Sequence, residues 1–488
     1  MRETERALLL SGPSYIDRKR PLTQPLKRFV SQLDPLGIAI VSAVLKRHGF
    51  EVKWGEINPK STRTLKGEIE NSSAVFISSR HFDTTPTQEV IRLANRIGKQ
   101  IVVGGYGPSL NPEAFDGATV VRGEGEPVLE TLIDDLLCKR LGLIYDATVL
   151  PPFDLSNYIW PDRSIFPQWP PGLRKFRKHS QEWQRGCYNR CSFCSPCRVQ
   201  KEVRVRKPKD IIAEIESLNL KPGDFIFSLD LNTMAIPREN LIEIFFYLKN
   251  KGLRWFLEGT VAPLIADLEE YGEESLLSKM SPKDGLGGCY SFLYGADDLV
   301  ASRVKGSTDK ERGLLRTSAE IFRKFRIPLN FSVIVGLDNH EYPVSFFEIL
   351  SALQGAGAPY SFLHIATPYL GTPWGDNVYK GEQVFETDSL NFNHRNVVFE
   401  PKNMTREQLQ QGFYWLLKRM YSPEAILRNV RGNFDATRIR NPILETFLSG
   451  LPWSVETWLC YEELSARGYV DQREQRFLDH EYLKYISS

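Results

Sequence analysis

The chain has 488 residues, of which 42% are hydrophobic and 25% are charged, and its formal net charge is +2. This length predicts about three domains, and the near-neutral charge gives no electrostatic basis for binding nucleic acid or an acidic surface. Because the N-terminal segment has only a very short apolar run and no run of about 18 apolar residues follows, we expect a cytoplasmic protein without a signal peptide or transmembrane segment.

Residues 1–140 alternate short apolar runs with amphipathic helical patterns. The strand-like runs are ALLL, FEVKWGEI, SAVFISS, KQIVVGG and ATVVRGEGE, and the helical ones are LGIAIVSAVLKRHGF, TTPTQEVIRLANRIG and EPVLETLIDDLL. This alternation predicts an α/β domain with a doubly wound parallel sheet covered on both faces. Ligands of such sheets bind outside the carboxyl ends of the strands, so the candidate ligand loops are 78–81, 104–108 and 123–126.

The next segments predict a second α/β unit followed by helices. Residues 141–180 are rich in proline and aromatic side chains, which indicates an ordered connector. Residues 181–375 contain six strand-like runs separated by helical patterns, and six parallel units predict a partial (βα)6 barrel of the TIM type, with its reacting groups at the carboxyl ends of the strands. Residues 376–488 are mostly helical, and Thr405 with Gln408 predicts a capped helix start.

Four of the seven cysteines lie close together, with the spacing Cys187-x3-Cys191-x2-Cys194 and Cys197 three residues further on. In a reducing compartment, an odd number of clustered cysteines favours a metal site over disulfides. A structural zinc site normally has two well-separated ligand pairs, which are absent here. A closed four-iron cluster would need a fourth ligand, for which Cys197 is the candidate. The favoured interpretation is a [4Fe–4S] cluster held by three thiolates, with one open iron.

A CxxxCxxC motif with the aromatic Phe193 before its third cysteine, after the first strand of a six-unit barrel, resembles the radical S-adenosylmethionine (SAM) superfamily. The resemblance implies that Cys187, Cys191 and Cys194 hold the cluster and that SAM binds the open iron. A reduced cluster would then cleave SAM to a 5′-deoxyadenosyl radical. Cys197 stands outside the triad and is interpreted as a small buried thiol.

The same resemblance implies SAM-binding residues at the ends of later strands. Ser228 and Asp230 follow the second strand, where the superfamily binds the SAM amino group, although the usual glycine-glycine-glutamate is absent. Asp297, with Asp298 as the alternative, follows the fourth strand and is the candidate for the ribose hydroxyls. Gly336 follows the fifth strand on the adenine side, and ATPYLGTP at the sixth strand matches a Thr-Pro-x-x-Gly-Thr stretch. A solvated loop acid or a helix cap is the alternative for each carboxylate.

The first domain resembles the cobalamin-binding domain of class B radical SAM enzymes, through DPLGIAIVSAVLKRHGFEV, IVVGGYGPSLNPEAF and VVRGEGEPVLETL. The resemblance implies that cobalamin contacts the strand-end residues Ser79, Gly104, Gly105, Gly123 and Glu124, where glycines let the corrin approach the backbone. The Asp-x-His-x-x-Gly signature of base-off cobalamin proteins is missing, so no lower axial ligand is assigned, and His81 is only a weak candidate. A sheet domain that has lost its ligand is the alternative.

The C-terminal text NFNHRNVVFEPKNMTREQLQQGFYWLLKRMYSPEAILRNV resembles a subgroup that includes the hopanoid methylases. Together the resemblances imply a cobalamin-dependent radical SAM methyltransferase that methylates an unactivated carbon of a lipid or natural-product intermediate, by way of methylcobalamin. The implied partners are a small-molecule or lipid substrate and an external one-electron reductant of the flavodoxin or ferredoxin type. Radical chemistry without methylation and a non-catalytic electron carrier are the alternatives. Trp160, Trp169, Trp453 and Trp458 are interpreted as core residues rather than as the lining of a substrate pocket.

Overall fold

The computed structural model describes residues 5–12, 33–57, 62–167, 177–282, 287–300, 308–357, 361–427 and 451–487. Its first domain is built on six strands: β1 (Arg6–Ser11), β2 (Glu51–Glu56), β3 (Ala74–Ser78), β4 (Gln100–Gly104), β5 (Thr119–Arg122) and β6 (Ile144–Asp146). The strands are all parallel and lie in the order β2-β1-β3-β4-β5-β6. The strand order reverses between β1 and β3, which places the expected ligand site at the carboxyl ends near that point. The last strand, β6, comes from the segment that the sequence assigned to the connector.

Helices cover both faces of this sheet, as the sequence predicted. They are α1 (Leu36–Arg47), α2 (Thr62–Glu70), α3 (Thr84–Ile97), the short α4 (Tyr106–Leu110) and α5 (Glu126–Leu137). Leu9 of β1 packs into the core under α1 and α5, whereas its neighbours Leu8 and Leu10 pack into the core under α2 and α3. Because successive side chains of a strand point to opposite faces, an apolar run without alternation is what a strand covered on both faces requires.

The second sheet has six parallel strands in sequential order: β7 (Lys178–Gln181), β10 (Phe225–Ser228), β11 (Arg254–Gly259), β12 (Gly288–Asp297), β13 (Leu329–Val335) and β14 (Ser361–Ile365). Since β7 and β14 are the two edges of the sheet, the expected partial barrel is confirmed. The sequence predicts the first barrel strand at residues 182–186 (EWQRG), whereas β7 ends before this run. Residues Gln184–Arg185 of that run form β8 instead, which pairs antiparallel with β9 (Arg204–Val205).

The remaining helices pack around the barrel and extend beyond it. They are α6 (Pro196–Val199), α7 (Pro208–Ser217), α8 (Arg238–Asn250), α9 (Ala262–Tyr271), α10 (Leu276–Met280), α11 (Thr308–Lys324), α12 (Val344–Gly355), α13 (Pro373–Lys380), α14 (Arg406–Tyr421), α15 (Leu451–Ala466) and α16 (Gln472–Ser487). The predicted cap of α14 is confirmed, because the Thr405 hydroxyl accepts from the Gln408 N–H and the Gln408 side chain accepts from the Thr405 N–H. Within the described ranges, no helix combines the length and apolarity needed to cross a bilayer.

The C-terminal helices share one continuous core with the barrel. Trp415 of α14 is fully buried and packs edge-on against Phe347 of α12 at a ring-centroid distance of 5.4 Å. Helix α14 lies close to α12 because Gly412 faces the Phe346 ring, where an added Cβ would come within 2.4 Å of a ring carbon.

We expect Gly412→Ala to destabilise the protein, whereas Gly313→Ala should stabilise it. Both glycines lie inside helices, where alanine gains about 1 kcal/mol in helix propensity. A Cβ at Gly313 of α11 meets nothing within 4 Å, but one at Gly412 collides with Phe346, and overpacking costs about 1–3 kcal/mol. Urea unfolding of the two variants, followed by circular dichroism, checks this difference. Equal unfolding midpoints would contradict the close packing at Gly412.

Candidate functional site

The cysteine loop, residues 186–203, is closed at its base by the β8–β9 ribbon. Arg185 and Arg204 are paired residues of that ribbon. Gly186 has φ +85°, and a Cβ there would lie 2.1 Å from the Glu202 carbonyl oxygen, so that only glycine fits where the loop leaves β8. The ribbon therefore holds the two ends of the loop together directly after β7.

Hydrogen bonds inside the loop fix its cysteines. The Arg198 guanidinium donates to the carbonyl oxygens of Arg190 and Cys191 at 3.1 and 2.9 Å. The Cys194 N–H donates to the Cys191 carbonyl at 3.2 Å. Cys187, Cys191 and Cys194 are partly exposed. Cys197, by contrast, is only 4% exposed, and its thiol is turned back to the Cys194 carbonyl at 3.2 Å.

At least one thiol of this loop is hard to ionise in the protein alone. Burial raises the pKa of Cys191 to about 11, with further contributions from Asp297 and Cys187, so a positive charge is needed to ionise this thiol near neutral pH. In the part of the chain that the structure describes, no three His, Cys, Asp or Glu side chains converge as they would on a single ion. Thiolates of a cuboidal cluster lie further apart, because each binds a different iron.

A cavity of about 340 Å³ lies at the mouth of the barrel, and we call it the barrel cavity. Phe193 and Cys194 of the cysteine loop line one side, and Asp297, at the end of β12, lines the same cavity. The opposite side comes from β13, from β14 with the residues that follow it, and from the first domain. The remaining residues that line the barrel cavity as a whole are Arg80, His81, Phe82, Tyr106, Ser195, Pro196, Ser332, Ile334, Leu337, His364, Ile365, Ala366, Thr367, Tyr369 and His394.

The two acids after β12 have different surroundings. Asp297 has φ +38° and follows a register shift in the pairing of β12 with β13. Asp298 accepts hydrogen bonds from His340 at 3.0 Å and from Asn339 at 2.7 Å. Despite burial, these hydrogen bonds lower the pKa of Asp298. Asp298 therefore ties together the loops after β12 and β13, and Asp297 is the acid that lines the barrel cavity.

Ser228 and Asp230 do not line the barrel cavity, and they do not line the cavity of the first domain that is described below. Both are fully buried. The Asp230 carboxylate accepts from the backbone N–H groups of Trp183 and Gln184 at 2.7 and 3.0 Å. Burial raises the pKa of Asp230 to about 7, against the effect of these hydrogen bonds. This geometry favours a role in bracing the start of the cysteine loop over a direct contact with SAM.

Gly336 follows β13 with φ +88°, and its N–H donates to the His340 ring at 3.1 Å. A Cβ there would lie 2.7 Å from the Leu409 side chain of α14. The position is thus restricted by the turn and by helix packing, and it is the neighbouring Ile334 and Leu337 that line the barrel cavity.

Three histidines and a tyrosine form the far wall of the barrel cavity. Burial lowers the pKa of His364 to about 3, and those of His81 and His394 to about 4. His81 stacks on the Tyr369 ring at 4.5 Å, and the Tyr369 hydroxyl lies 3.1 Å from the His394 ring nitrogen. The imidazoles of this wall are therefore uncharged at neutral pH, and they offer hydrogen bonds rather than charge.

The second cavity, of about 350 Å³, lies at the carboxyl ends of the first sheet, and we call it the sheet cavity. The five residues that the sequence predicted for cobalamin, Ser79, Gly104, Gly105, Gly123 and Glu124, all line it. Apolar side chains of α1 and α5, together with strand residues such as Phe76, Val102 and Val121, extend it as a groove along one face of the sheet. A mostly apolar lining with a few polar groups at its rim is typical of a cofactor or ligand site, and a corrin would lie along this groove rather than be enclosed by it.

The glycines of this cavity are required by the backbone itself. Gly105 has φ +109°, and a Cβ there would lie 2.6 Å from the Ser79 carbonyl oxygen. At Gly123 the φ is +84°, and a Cβ would approach Thr148 to 3.1 Å. The resemblance implies that glycines here let a corrin approach the backbone, and at Gly105 and Gly123 contacts within the protein also exclude larger residues.

The sheet cavity and the barrel cavity share a wall. Arg80 and Tyr106 line both of them. Arg80 is held by two hydrogen bonds to the fully buried Asp83, at 2.7 and 3.1 Å. His81, which the sequence placed near the cobalt, lines only the barrel cavity. A ligand in the first domain and a group held by the cysteine loop would therefore approach each other across Arg80 and Tyr106.

Comparison with known proteins agrees with this arrangement. A B12 binding domain is matched over residues 26–133, the region that contains most of the sheet cavity. The chain therefore joins a B12-binding domain to a barrel that carries a CxxxCxxC loop, which is the architecture of class B radical SAM enzymes. The expected fold and class are confirmed.

The chain is similar to several individual members of this class. Over 430 residues the chain is 23% identical to bacteriochlorophyllide d C-12(1)-methyltransferase of Chlorobaculum tepidum, covering 85% of this chain and 90% of that protein. It is 27% identical to an anaerobic magnesium-protoporphyrin IX monomethyl ester cyclase of Cereibacter sphaeroides, covering 63% and 52% of the two chains. Among solved structures, TsrM of Kitasatospora setae with cobalamin and a [4Fe–4S] cluster bound has a TM-score of 0.57 at 16% identity, over 95% of this chain and all of that one.

Sequence reasoning missed several residues of the site. Tyr106 and Arg80 lie in predicted ligand loops, but no sequence signal says that these loops meet the barrel. His364 alternates with apolar residues along β14, which is the pattern of an inward-facing side chain, whereas His394 lies in a loop without any such signal.

Of the four tryptophans, Trp160 is exposed and Trp458 stacks on Tyr461, and neither lines either cavity. Trp169 and the Trp453 side chain lie outside the described residues.

Asp230→Asn should remove a pH dependence of stability. The folded-state pKa of Asp230, about 7, lies above its unfolded value, so the folded protein retains a proton that the unfolded chain releases, and this stabilisation is lost as pH rises from about 4 to about 7. The variant keeps the acceptor oxygen for Trp183 and Gln184. Its free energy of unfolding relative to wild type should therefore rise between pH 5 and pH 8, by about 1 kcal/mol or more. Urea titrations of both proteins at several pH values measure this, and parallel curves for wild type and Asp230→Asn would show that the carboxyl is not perturbed.

Proposed function

We propose that this protein is a cobalamin-dependent radical SAM methyltransferase that acts on a carbon at the edge of a tetrapyrrole. The observation that carries the proposal is the wall shared by the sheet cavity and the barrel cavity at Arg80 and Tyr106. A methyl transfer requires donor and acceptor to approach within contact distance, and in this geometry the two cavities share the side chains of Arg80 and Tyr106.

We assign the cluster and SAM to residues at the barrel cavity, and cobalamin to residues of the sheet cavity. Cys187, Cys191 and Cys194 would hold the [4Fe–4S] cluster, and Phe193 and Asp297 would contact SAM beside it. The strand-end loops and the apolar groove of the sheet cavity would hold cobalamin. When bound, these groups supply a 5′-deoxyadenosyl radical and a methyl group, and the protein supplies orientation and exclusion of water. The electron would come from an external one-electron reductant of the flavodoxin or ferredoxin type.

The substrate side of the barrel cavity favours a neutral, planar group. Phe82, Phe193 and Tyr369 offer aromatic surface, and the uncharged imidazole of His364 offers a hydrogen-bond acceptor. The volume of about 340 Å³ is at the small end for ligand pockets, so we propose that only the edge of a macrocycle enters. The names of the relatives, which act on bacteriochlorophyllide d or magnesium-protoporphyrin IX monomethyl ester, favour a tetrapyrrole over the lipid that the hopanoid methylase resemblance implied.

A second candidate function is radical chemistry without methylation. Two relatives are named as cyclases, and one of them, from Rubrivivax gelatinosus, is 24% identical over 81% of this chain and 75% of its own length. In that case the barrel cavity would bind a side chain of the macrocycle, and this side chain would undergo ring closure instead of methylation. The two candidates differ in the mass of the product, because only methylation adds a CH2 unit.

The test is an anaerobic assay of reconstituted protein with cobalamin, SAM, a reductant, and either bacteriochlorophyllide d or magnesium-protoporphyrin IX monomethyl ester. We expect release of 5′-deoxyadenosine and a product heavier by one CH2 unit, detected by mass spectrometry. Cys191→Ala should lose the cluster and both products, whereas Cys197→Ala should retain them, since its thiol is turned away from the loop opening. A product of changed structure that lacks the added CH2 unit would favour the cyclase, and failure of the protein to bind cobalamin would refute the methyltransferase.

His364→Ala should weaken substrate binding without affecting the cluster. Loss of one neutral hydrogen bond costs about 0.5–1.5 kcal/mol, which corresponds to a rise in Kd of up to roughly tenfold. Because the pKa of His364 is about 3, its imidazole stays neutral, and wild-type affinity should not change between pH 5.5 and pH 8. Fluorescence titration with either tetrapyrrole measures both effects, with Trp458→Phe as a control far from the cavity. A loss of affinity below pH 6.5 would indicate an ordinary, solvated histidine.

A further inference from the structure

A buried ion network joins the first domain to the base of the cysteine loop. Arg185 of β8 donates to Glu124 at 2.9 Å, to Glu126 at 2.6 Å and to Glu182 at 2.9 Å. Arg204, its partner on β9, also binds Glu124, and donates to the Phe153 carbonyl oxygen at 2.8 Å. Both arginines of the ribbon that closes the cysteine loop are therefore held by a single carboxylate of the first domain.

The network is protected from solvent, so its interactions are not screened as surface ion pairs are. The Arg185 side chain is 5% exposed. Burial alone would lower the pKa of Arg185, but Glu182 and Glu126 more than offset this and hold it well above its ordinary value. Burial likewise raises the pKa of Glu124, but the bonds to Arg204 and Arg185 outweigh it and lower that pKa. Arg185 and Glu124 thus stay charged over the physiological pH range.

Glu124 has protein partners in addition to the cavity that it lines. It was expected to contact cobalamin, and it does line the sheet cavity. Its carboxylate oxygens, however, are occupied by the guanidinium groups of Arg185 and Arg204. Glu124 lies in the loop after β5, at the rim of the sheet cavity. Arg185 precedes the cysteine loop and Arg204 follows it.

We propose that Glu124, Arg185 and Arg204 fix the cysteine loop to the first domain and so set the distance between a corrin in the sheet cavity and a cluster on the loop. This rests on the proposed function for the identity of the two groups, but the attachment of the loop does not depend on it. The three residues are positioning residues. A guanidinium bound by a carboxylate through two nitrogens has a fixed orientation as well as a fixed distance, which suits a device that aligns two bodies.

Arg204→Gln tests the proposal, because Arg204 lines neither cavity and the variant keeps every cysteine and every residue that lines the sheet cavity. Asp146→Asn is the matched control. It breaks the ion pair between Asp146 and Arg122, which lies at the same end of the first sheet but within one domain. Arg204→Lys keeps the charge without the forked geometry, and it serves as the milder variant if Arg204→Gln fails to fold.

Two readouts are needed. Hydrogen–deuterium exchange of the protein without cofactors reports on residues 186–203, and we expect roughly tenfold faster exchange in Arg204→Gln, as for loss of one charge-assisted hydrogen bond. In protein loaded with cob(II)alamin and a reduced cluster, the electron spin–spin coupling reports on their separation, and we expect a broader distribution of distances. Asp146→Asn should match wild type in both, and iron and cobalamin contents should be equal in all variants.

Unchanged exchange of the loop in Arg204→Gln would overturn the attachment, and unchanged spin coupling with faster exchange would overturn its control of the distance. If the wild type binds no cobalamin, the proposed function fails, but the exchange measurement still decides whether the network fixes the loop. Faster exchange in Asp146→Asn as well would assign the effect to general loosening and would also overturn the proposal.

Discussion

The structure depends on one geometric constraint, which is that the carboxyl edges of two parallel sheets face each other. In each sheet, the polypeptide leaves the strands through loops at that edge, and these loops are free to carry ligand contacts because they are not part of the hydrogen-bonded ladder. Loops after β3 and β4 meet loops after β12 and β14, and the sheet cavity and the barrel cavity form on either side of Arg80 and Tyr106. Neither cavity could be completed by one domain alone.

Keeping two domains in this arrangement requires directional contacts, and the chain supplies them as buried charge. Asp230 holds the backbone at Trp183 and Gln184 from the barrel side, and Glu124 holds Arg185 and Arg204 from the first domain. Buried ion pairs are poor sources of net stability, because desolvation offsets most of their attraction, but removing one partner is costly, about 3–5 kcal/mol. Such groups therefore act mainly by excluding other arrangements of the cysteine loop.

Much of the fold could be predicted from local patterns. Most strands of both sheets, though not β2 or β7, appear in the sequence as short apolar runs, because strands covered on both faces need apolar residues at every position. The first barrel strand was misplaced by a few residues, since Gln184 and Arg185 have the alternation of a strand but pair with β9 instead. The site was predictable where it follows strand ends, as for Asp297 and Ser79. It was not predictable where a side chain's partner is remote in sequence: Asp230 has the position of a ligand residue but turns to backbone N–H groups, and nothing local indicates that Tyr106 meets the barrel.

The central claim is that three cysteines, and not four, hold the cluster, so that one iron is open to SAM. Electron–nuclear double resonance of the anaerobically reduced protein, with SAM labelled by 17O in its carboxylate and 15N in its amino group, tests this most directly. We predict hyperfine coupling from both labels, in wild type and in Cys197→Ala alike. Absence of both couplings, with a cluster spectrum that changes when Cys197 is replaced, would contradict the account.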